Sequence, residues 1–238
     1  MRRIVPGLYT FTGLPVGRVY LISEGDGLTL IDASVSIAAG SILRQIHKLG
    51  FAPGDVRRIL ITHAHPDHVG ALSALVEATG AEVWSSRLER PVIEGTIPVP
   101  LPPADSLRGL ARLMRPGAAT FFPHVAVARE LRDGEMLPEV FGGLQVITTP
   151  GHAPGHLAFW HPERRVVMMG DVVMNFPTGM RLPVAAFTYD MAENIRSLGR
   201  VVRLAPLIAC FGHGKPMMVG TTERIGAFAQ KVGAKRRH

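Results

Sequence analysis

The densest group of potential metal ligands in the sequence is the run Thr62-His63-Ala64-His65-Pro66-Asp67-His68. It places three histidines and one aspartate within six positions, directly after an apolar segment. His63 and His65 lie one residue apart in an extended turn and can aim both imidazoles at one point, whereas Asp67 and His68 project from the start of a helix. Neutral imidazole and carboxylate are good ligands for zinc, iron and manganese. The run therefore predicts two adjacent metal centres rather than one.

Three further elements with ligand-type residues follow predicted strands later in the chain. His152 ends the turn Thr148-Thr149-Pro150-Gly151-His152, Asp171 follows the strand Val166 to Met169, and His213 lies between two glycines after Leu207 to Cys210. Sites in α/β folds form at the carboxyl ends of strands. An ionised aspartate beside apolar residues, such as Asp171, also needs a partner. Each element alone is a weak signal, and the prediction depends on the ordered set.

In this order the residues resemble the metallo-β-lactamase superfamily. The matching motifs are His-x-His-x-Asp-His, a His in a Pro-Gly-His turn, Gly-Asp and Gly-His-Gly, and they cover His63 to His213. Leu30-Ile31-Asp32 resembles the family's first motif, and Asp133-Gly134-Glu135 and the run Thr149 to His156 also look like its members. The match extends over nearly the whole chain. It implies an α/β fold of the αβ/βα type, in which two sheets pack face to face with helices outside.

The resemblance also implies a role for each ligand. His63, His65 and His152 would hold one metal ion, Asp67, His68 and His213 would hold the other, and Asp171 would bridge both. Asp32 would support the site from outside by fixing a ligand loop or the tautomer of a ligand. The expected cofactor is two divalent metal ions per chain, with zinc favoured and iron or manganese as alternatives.

A centre of this kind predicts a hydrolase. Two cations about 3.5–4 Å apart repel each other, and a bridging carboxylate and hydroxide offset the repulsion. Metal binding lowers the pKa of bound water to about 7, so a metal-bound hydroxide can attack a carbonyl at neutral pH. Asp67 is the candidate catalytic residue, because it can orient the hydroxide and help to move a proton. The predicted substrate is a small molecule with an ester, lactone or thioester-like bond.

The elements that must position these residues alternate between strands and helices, which predicts the α/β class. Apolar periodicity and turn residues define the boundaries. The predicted strands are Arg18 to Ile22, Leu28 to Asp32, Val56 to Thr62, Ala81 to Trp84, Gly143 to Thr149, Leu157 to Trp160, Arg165 to Met169 and Leu207 to Cys210. A turn at Glu24 to Gly27 joins the first two. The predicted helices are Ile37 to Leu49, Asp67 to Ala78, Ala192 to Leu204 and Thr221 to Lys231.

The segment from Pro91 to Pro123 lacks such periodicity and contains seven prolines. We interpret it as a long surface excursion, of the kind that often forms a lid or a binding loop. No linker divides the sequence, so residues 1–238 are expected to form one domain of this fold. Whether the excursion is a lid is left open, as is the oligomeric state.

Composition limits the partners that can be expected. The chain has 238 residues, a hydrophobic share of 47% and a formal net charge of +7. Its basic residues are mostly scattered, and the one dense cluster, Lys235-Arg236-Arg237, lies in the tail, so nucleic acid is not an expected partner. No apolar stretch approaches the ~20 residues that span a bilayer, so no membrane partner is expected. The single cysteine, Cys210, cannot form an internal disulfide, which favours a cytoplasmic location.

Within the family, the resemblance favours compact lactonase or glyoxalase II-like members. The commonest lactam-cleaving type carries cysteine where Asp171 stands. Glyoxalase II-like members usually add a C-terminal glutathione-binding domain, and only 25 residues follow His213. Two alternatives remain open. One is a persulfide dioxygenase-like enzyme with a single iron held by His63, His152 and Asp171. The other is a nucleic-acid-processing phosphodiesterase.

The segment after Asp171 is rich in apolar residues and is broken by proline and glycine. An apolar, irregular run beside a metal site is expected to form pocket wall as well as core. The residues predicted to line the substrate pocket are Phe176, Met180, Phe187 and Tyr189. Tyr189 is the candidate for an additional hydroxyl donor.

Overall fold

The computed structural model describes residues 1–24 and 27–234. Its first sheet has seven strands in sequential order. β1 to β4 pair antiparallel, and β4 to β7 pair parallel. The strands are β1 (Arg2–Val5), β2 (Leu8–Thr10), β3 (Tyr20–Glu24), β4 (Gly27–Ile31), β5 (Val56–Leu60), β6 (Glu82–Ser86) and β7 (Val127–Leu131).

The second half of the chain builds a five-stranded sheet and a separate hairpin. The strands are β8 (Met136–Leu137), β9 (Leu144–Thr148), β10 (Leu157–His161), β11 (Val166–Met168), the hairpin strands β12 (Met174–Phe176) and β13 (Gly179–Arg181), and β14 (Ile208–Cys210). The sheet order is β14-β11-β10-β9-β8, with β11 and β14 parallel. The strands predicted from Leu157 to Trp160 and from Arg165 to Met169 correspond to β10 and β11, which pair antiparallel as a hairpin.

Helices cover the outer faces of both sheets, and the apolar side chains form three layers. The helices are α1 (Ala39–His47), α2 (Pro66–Val69), α3 (Leu72–Thr79), α4 (Arg90–Ile93), α5 (Leu110–Met114), α6 (Met191–Arg203) and α7 (Thr221–Ala234). Leu157 and Phe159 of β10 belong to the core between the sheets, whereas Ala158 and Trp160 belong to the layer beneath α6 and α7. This alternation buries both faces of the strand. The arrangement is the predicted αβ/βα sandwich.

Some predicted boundaries differ from the structure. The single helix expected from Asp67 to Ala78 is divided into α2 and α3, because the chain makes a turn at Gly70 and Ala71. A Cβ on Gly70 would lie 2.4 Å from the carbonyl oxygen of Pro66 and 2.7 Å from the backbone nitrogen of Ser36. Only glycine permits this close approach, which brings the start of the helix against the loop after β4.

Other elements were not predicted: β1, β2, β7, β8, the hairpin of β12 and β13, and the short helix α4. Each of them has only two to five residues, too few for a periodic pattern to be distinguished from a loop. The turn residues Gly25 and Asp26 and the basic cluster Lys235 to Arg237 lie outside the described residues. Within the described ranges, no helix combines the length and apolar character needed to cross a membrane.

The excursion from 91 to 123 contains no strand, as expected. It holds most of α4, a 3-10 turn at Ala104–Ser106 and α5. It leaves the first sheet after β6 and returns at β7, and it brings Val99 and Leu101 to the rim of the site described next.

Candidate metal centre

The ligand-type residues follow strands of both sheets; Asp67 and His68 lie in α2 and the others lie in loops. His63 to His68 follow β5, His152 follows β9, Asp171 follows β11 and His213 follows β14. β5 runs parallel to β4, whose end carries Asp32, and β11 runs parallel to β14. Because the carboxyl ends of parallel strands share one edge of a sheet, residues far apart in sequence meet at one end of the sandwich.

Backbone bonds hold these loops against each other. Gly212 donates its N–H to the carbonyl of Gly170 at 2.7 Å, and Ala33 donates to the carbonyl of His68 at 2.7 Å. A Cβ on Gly212 would lie 1.9 Å from Oδ1 of Asp171 and 2.9 Å from Cε1 of His68. A side chain there would displace Asp171, so the glycine before His213 is required by the packing of the site.

The seven residues predicted as ligands converge. Their side-chain donor atoms form three groups within which all distances are at most 4.8 Å: His63, His65 and His152; His63, His68 and Asp171; and Asp67, His68 and His213. Nε2 of His213 lies 3.0 Å from Oδ2 of Asp67 and 3.2 Å from Oδ2 of Asp171. Oxygens of Asp171 also lie 3.5 Å from Nε2 of His68 and of His152. Asp171 is therefore the carboxylate shared by both ends of the cluster.

Asp32 orients two of the histidines. Nδ1 of His68 donates to Oδ2 of Asp32 at 2.8 Å. The hydroxyl of Thr62 donates its single proton to Asp32, with an oxygen–oxygen distance of 2.8 Å, and its oxygen lies 3.0 Å from Nδ1 of His63. Since that proton is committed, Nδ1 of His63 must be the donor to Thr62. Both imidazoles therefore carry the proton on Nδ1 and present an Nε2 lone pair to the cluster when neutral.

Thr188 orients His152 in the same way. Its hydroxyl donates to the carbonyl of Val184 at 2.9 Å, so its oxygen accepts from Nδ1 of His152 at 3.1 Å. Nε2 of His152 then faces the cluster with its lone pair. Nε2 of His63 and of His152 are buried and have no hydrogen-bond partner among the described residues. Buried polar atoms are rarely left without partners, so these atoms fit a bound metal ion.

His156 has a different orientation. Its Nε2 accepts the backbone N–H of Asp171 at 3.0 Å, so Nδ1 donates to the hydroxyl of Thr149 at 2.8 Å. Burial lowers the pKa of His156 to about 3, which keeps its imidazole neutral. This residue therefore fixes the backbone at Asp171.

The group of His63, His65 and His152 is neutral. Burial is the largest cause that lowers the pKa of His63 and of His152 well below the ordinary value, and neighbouring histidines lower both further. Burial likewise lowers the pKa of His65 to about 4. Neutral imidazoles are the form that binds metal. These three side chains are therefore ready to coordinate at neutral pH without losing a proton.

The other end of the cluster stabilises positive charge. Burial lowers the pKa of His213, but hydrogen bonds to Asp171 and Asp67 outweigh it and raise the pKa to about 9. Burial raises the pKa of Asp67, but His68 and the hydrogen bond from His213 outweigh it and lower the pKa to about 2. The pKa of Asp171 is held well below its ordinary value because the same two histidines outweigh its burial. Ionised carboxylates at this depth suit a divalent cation.

Glu89 is a buried residue of the site that the sequence did not suggest. Its Oε2 accepts the backbone N–H of Ala64 at 2.8 Å, and its Oε1 accepts that of Gly155 at 2.7 Å. One bond holds the turn that carries His63 and His65, and the other holds the loop after His152. Glu89 follows β6, a parallel neighbour of β5, so its place at the same sheet edge is the signal that could have indicated it.

A cavity of about 450 Å³ opens over the cluster. His65, Asp67, His152, Asp171 and His213 form its floor. The walls come from three segments, with Val16 and Val35 in the first half, Val99, Leu101, Pro116 and Thr120 on the excursion, and Met174, Phe176, Val184 and Phe187 after Asp171.

Two of the four predicted pocket residues, Phe176 and Phe187, line this cavity, and Met180 and Tyr189 do not. Met180 pairs with Asn175 across the β12–β13 hairpin, whereas Met174 and Phe176 project from the opposite face. Met180 instead packs against the core layer beneath α6 and α7. Tyr189 is 44% exposed and is fixed by a backbone bond to the carbonyl of His152. Of the predicted pocket residues, Phe176 and Phe187 therefore remain the candidates for contact with a substrate in this cavity.

The fold and this group of donors define a metallohydrolase architecture. The sequence model described as the metallo-beta-lactamase superfamily matches residues 12–213. The chain belongs to this superfamily and is a metal-dependent hydrolase.

Named relatives and a solved structure are consistent with this membership of the superfamily. The probable metallo-hydrolase YybB of Bacillus subtilis is 26% identical over 205 residues, covering 86% of this chain and 83% of the relative. The hydroxyacylglutathione hydrolase GloC of Haemophilus influenzae is 27% identical over 202 residues, covering 83% and 87%. The crystal structure of a metallo-beta-lactamase family protein from Thermus thermophilus superimposes with a TM-score of 0.73 at 26% identity, covering 98% of this chain and 81% of that one.

Proposed function

We propose that this protein uses two metal ions, with zinc favoured, to hydrolyse an ester, lactone or thioester bond in a small molecule with an apolar acyl group. The observation that carries the proposal is the convergence of seven imidazole and carboxylate side chains beneath one apolar cavity. A single ion rarely uses more than four to six protein ligands, so this many donors favour two ions.

In this proposal His63, His65 and His152 would hold one ion, and Asp67, His68 and His213 would hold the other. Asp171 would serve both, which is supported by its 3.2 to 3.5 Å approaches to histidines of both groups. Asp32 and Thr188 set the tautomers and so direct lone pairs inward. Histidine and carboxylate without cysteine suit zinc, and they also suit iron or manganese.

Bound divalent ions would lower the pKa of a water to about 7 and polarise the oxygen of the scissile carbonyl. The chain's own contribution is positioning and proton transfer. Asp67 lies at the cavity floor and is ionised, with a pKa of about 2. Its carboxylate is the group that would orient the attacking water and accept its proton. The buried Asp171 and Asp32 remain acceptors throughout, because both already serve histidines.

The cavity wall supports a neutral, apolar acyl group. Among the described residues that line it, Thr120 is the only polar side chain apart from the five residues of the floor, and no arginine or lysine is present. Anionic substrates such as phosphodiesters are usually recognised by cationic side chains. The relative named hydroxyacylglutathione hydrolase supports acyl-group hydrolysis. Phe176 and Phe187 are the residues proposed to contact the acyl group.

The test is an activity screen of the zinc-reconstituted protein on acyl esters of increasing chain length, lactones, thioesters and an activated phosphodiester. We expect hydrolysis of the carbonyl substrates, with KM falling as the acyl chain lengthens. Asp171→Asn should lose nearly all turnover and metal, whereas the exposed Asp105→Asn should retain both.

Three results would overturn the proposal. One is a preference for the phosphodiester. A second is oxygen consumption by an iron-loaded form without hydrolysis, as in the persulfide dioxygenase alternative. The third is a firm content of one metal ion per chain, with full activity retained after His68→Ala and His213→Ala.

A further inference from the structure

The tip of the excursion exposes a group of large apolar side chains. Leu110 and Leu113 on α5 are 70% and 83% exposed, and Met114 and Phe121 are also exposed. We call these four residues the mouth patch. Apolar side chains exposed singly are ordinary, but several within one short segment mark an interaction surface. Because these side chains face solvent, they do not contribute to the protein core.

The mouth patch is continuous with the entrance of the cavity. Pro116 and Thr120, which lie between its members in the sequence, line the cavity. α5 also lies against the 3-10 turn Ala185–Phe187, which belongs to the wall segment after Asp171. Val184 and Phe187 of that wall are about two-fifths exposed. Apolar surface therefore extends from the walls of the cavity to the exposed side chains of the excursion.

Positive charge accompanies the patch. Arg108 and Arg112 are exposed on and beside α5, and Arg115 follows it. Between Asp105 and Arg129 the sequence has no acidic residue. Arg115 donates from Nε to the carbonyl of Pro102 at 2.7 Å, which holds its guanidinium at the base of the tip. An apolar centre with a cationic rim is the composition that binds at the interface of anionic lipid.

We propose that the mouth patch docks the protein on the surface of an anionic phospholipid bilayer. The leucines, Met114 and Phe121 enter the boundary between headgroups and acyl chains, while Arg108 and Arg112 contact lipid phosphates. Because Pro116 and Thr120, which lie between members of the patch, line the cavity, docking brings the entrance close to the bilayer. This differs from the expectation of no membrane partner, which rested on the absence of a spanning segment and the scattered basic residues.

A second copy of this chain fits the patch less well. In a symmetric dimer the same surface faces itself, so Arg108 and Arg112 of both copies would meet across an apolar interface. Like charges brought together in that way are unfavourable. Anionic lipid, in contrast, neutralises the arginines and covers the apolar side chains at the same time. The net charge of +7 adds a longer-range attraction to such a surface.

The experiment is co-sedimentation of the full chain with vesicles of pure phosphatidylcholine and of phosphatidylcholine mixed equally with phosphatidylglycerol. We expect binding to the mixed vesicles, weaker binding to the neutral ones and a decrease with added salt. Leu110→Ser with Leu113→Ser should reduce the partition coefficient about tenfold or more. Arg108→Glu with Arg112→Glu should reduce it by at least a similar factor, since each basic residue near such a surface contributes about fivefold.

Matched controls lie elsewhere on the surface. Leu207→Ser with Val219→Ser removes two exposed apolar residues, and Arg44→Glu with Lys48→Glu makes the same change in net charge. The apolar pair should bind vesicles like the parent, within about twofold. The charge pair loses part of the longer-range attraction, so its binding should fall, but by clearly less than that of Arg108→Glu with Arg112→Glu, whose side chains contact the lipid. The proposal is wrong if the parent does not bind the mixed vesicles, or if the control pairs reduce binding as much as the patch pairs.

Analytical ultracentrifugation tests whether the patch is instead covered by a second copy of the chain. A dimer of the parent that is dissociated by the double substitution Leu110→Ser and Leu113→Ser would also overturn the proposal. The measurement needs no substrate and no turnover. Failure of docking is therefore distinguishable from failure of the proposed hydrolase activity, and either can occur without the other.

Discussion

Replacing Glu89 by Gln should loosen two ligand-bearing loops at once, because each of its carboxylate oxygens accepts one backbone N–H from a different loop. Glutamine keeps the shape of the side chain but has only one acceptor oxygen. Its NH₂ group would face the N–H of either Ala64 or Gly155, donor against donor. Glu89 is 1% exposed, so water cannot replace the lost bond without rearrangement.

The size of the effect follows from these contacts. Leaving one buried N–H unpaired costs about 1–3 kcal/mol, and the remaining bond loses its charge assistance. Burial raises the pKa of Glu89, which shows that keeping this carboxylate ionised is itself costly, and the neutral amide regains part of that cost. We expect a net loss of about 2 kcal/mol, which corresponds to a fall in Tm of about 4–8 °C for a chain of this size.

In Glu89→Gln the affinity for metal should also fall, and by more than the loss of stability alone would cause. Groups that orient ligands from outside the coordination sphere typically change affinity by about 10–100-fold when they are replaced. Thermal unfolding of the metal-free protein and zinc titration against a chromophoric chelator measure the two effects separately. Glu77→Gln, an exposed change of the same charge, is the matched control. If Glu89→Gln and Glu77→Gln have equal Tm values and equal zinc affinities, the bridging role of Glu89 is refuted.

Three further predictions concern metal binding and the pocket. Binding of the second zinc equivalent should release protons at pH 7 and should weaken as the pH falls, because the pKa of His213 is raised to about 9 and its proton competes with the metal. Calorimetry in two buffers of different ionisation enthalpy would detect the proton release. An equal pH dependence of both zinc equivalents would contradict this prediction. Thr188→Val should weaken zinc binding about 10–100-fold by freeing the tautomer, whereas Thr222→Val, which loses a hydroxyl bond elsewhere, should not. Phe187→Ala should weaken binding of an apolar substrate by about 1–3 kcal/mol and leave the metal content unchanged, because Phe187 lines the cavity. Met180 does not line the cavity, so an equal loss from Met180→Ala would contradict this prediction.

The sequence alone was sufficient for the fold class and for the candidate ligands. His63, His65, Asp67 and His68 are predictable because four ligand-type residues lie within six positions, where local backbone geometry already brings them together. His152, Asp171 and His213 are predictable because each follows an apolar strand in a characteristic turn. Their assignment as ligands stays a prediction, whereas the convergence of their side chains is a property of the structure.

The tertiary structure alone decided which residues support and surround that cluster. Glu89 and Thr188 act on loops that are distant in sequence, and no local pattern distinguishes a glutamate that bridges two backbones from one in solvent. Met180 and Phe187 have similar apolar character, but the register of the β12–β13 hairpin turns Met180 away from the cavity. Leu110 and Leu113 have the spacing of a buried helix face, yet nothing covers them in the described part of the chain. The physical reason is common to these three cases. Residue type and periodicity are encoded locally, whereas the surface that a side chain meets depends on how separate elements pack.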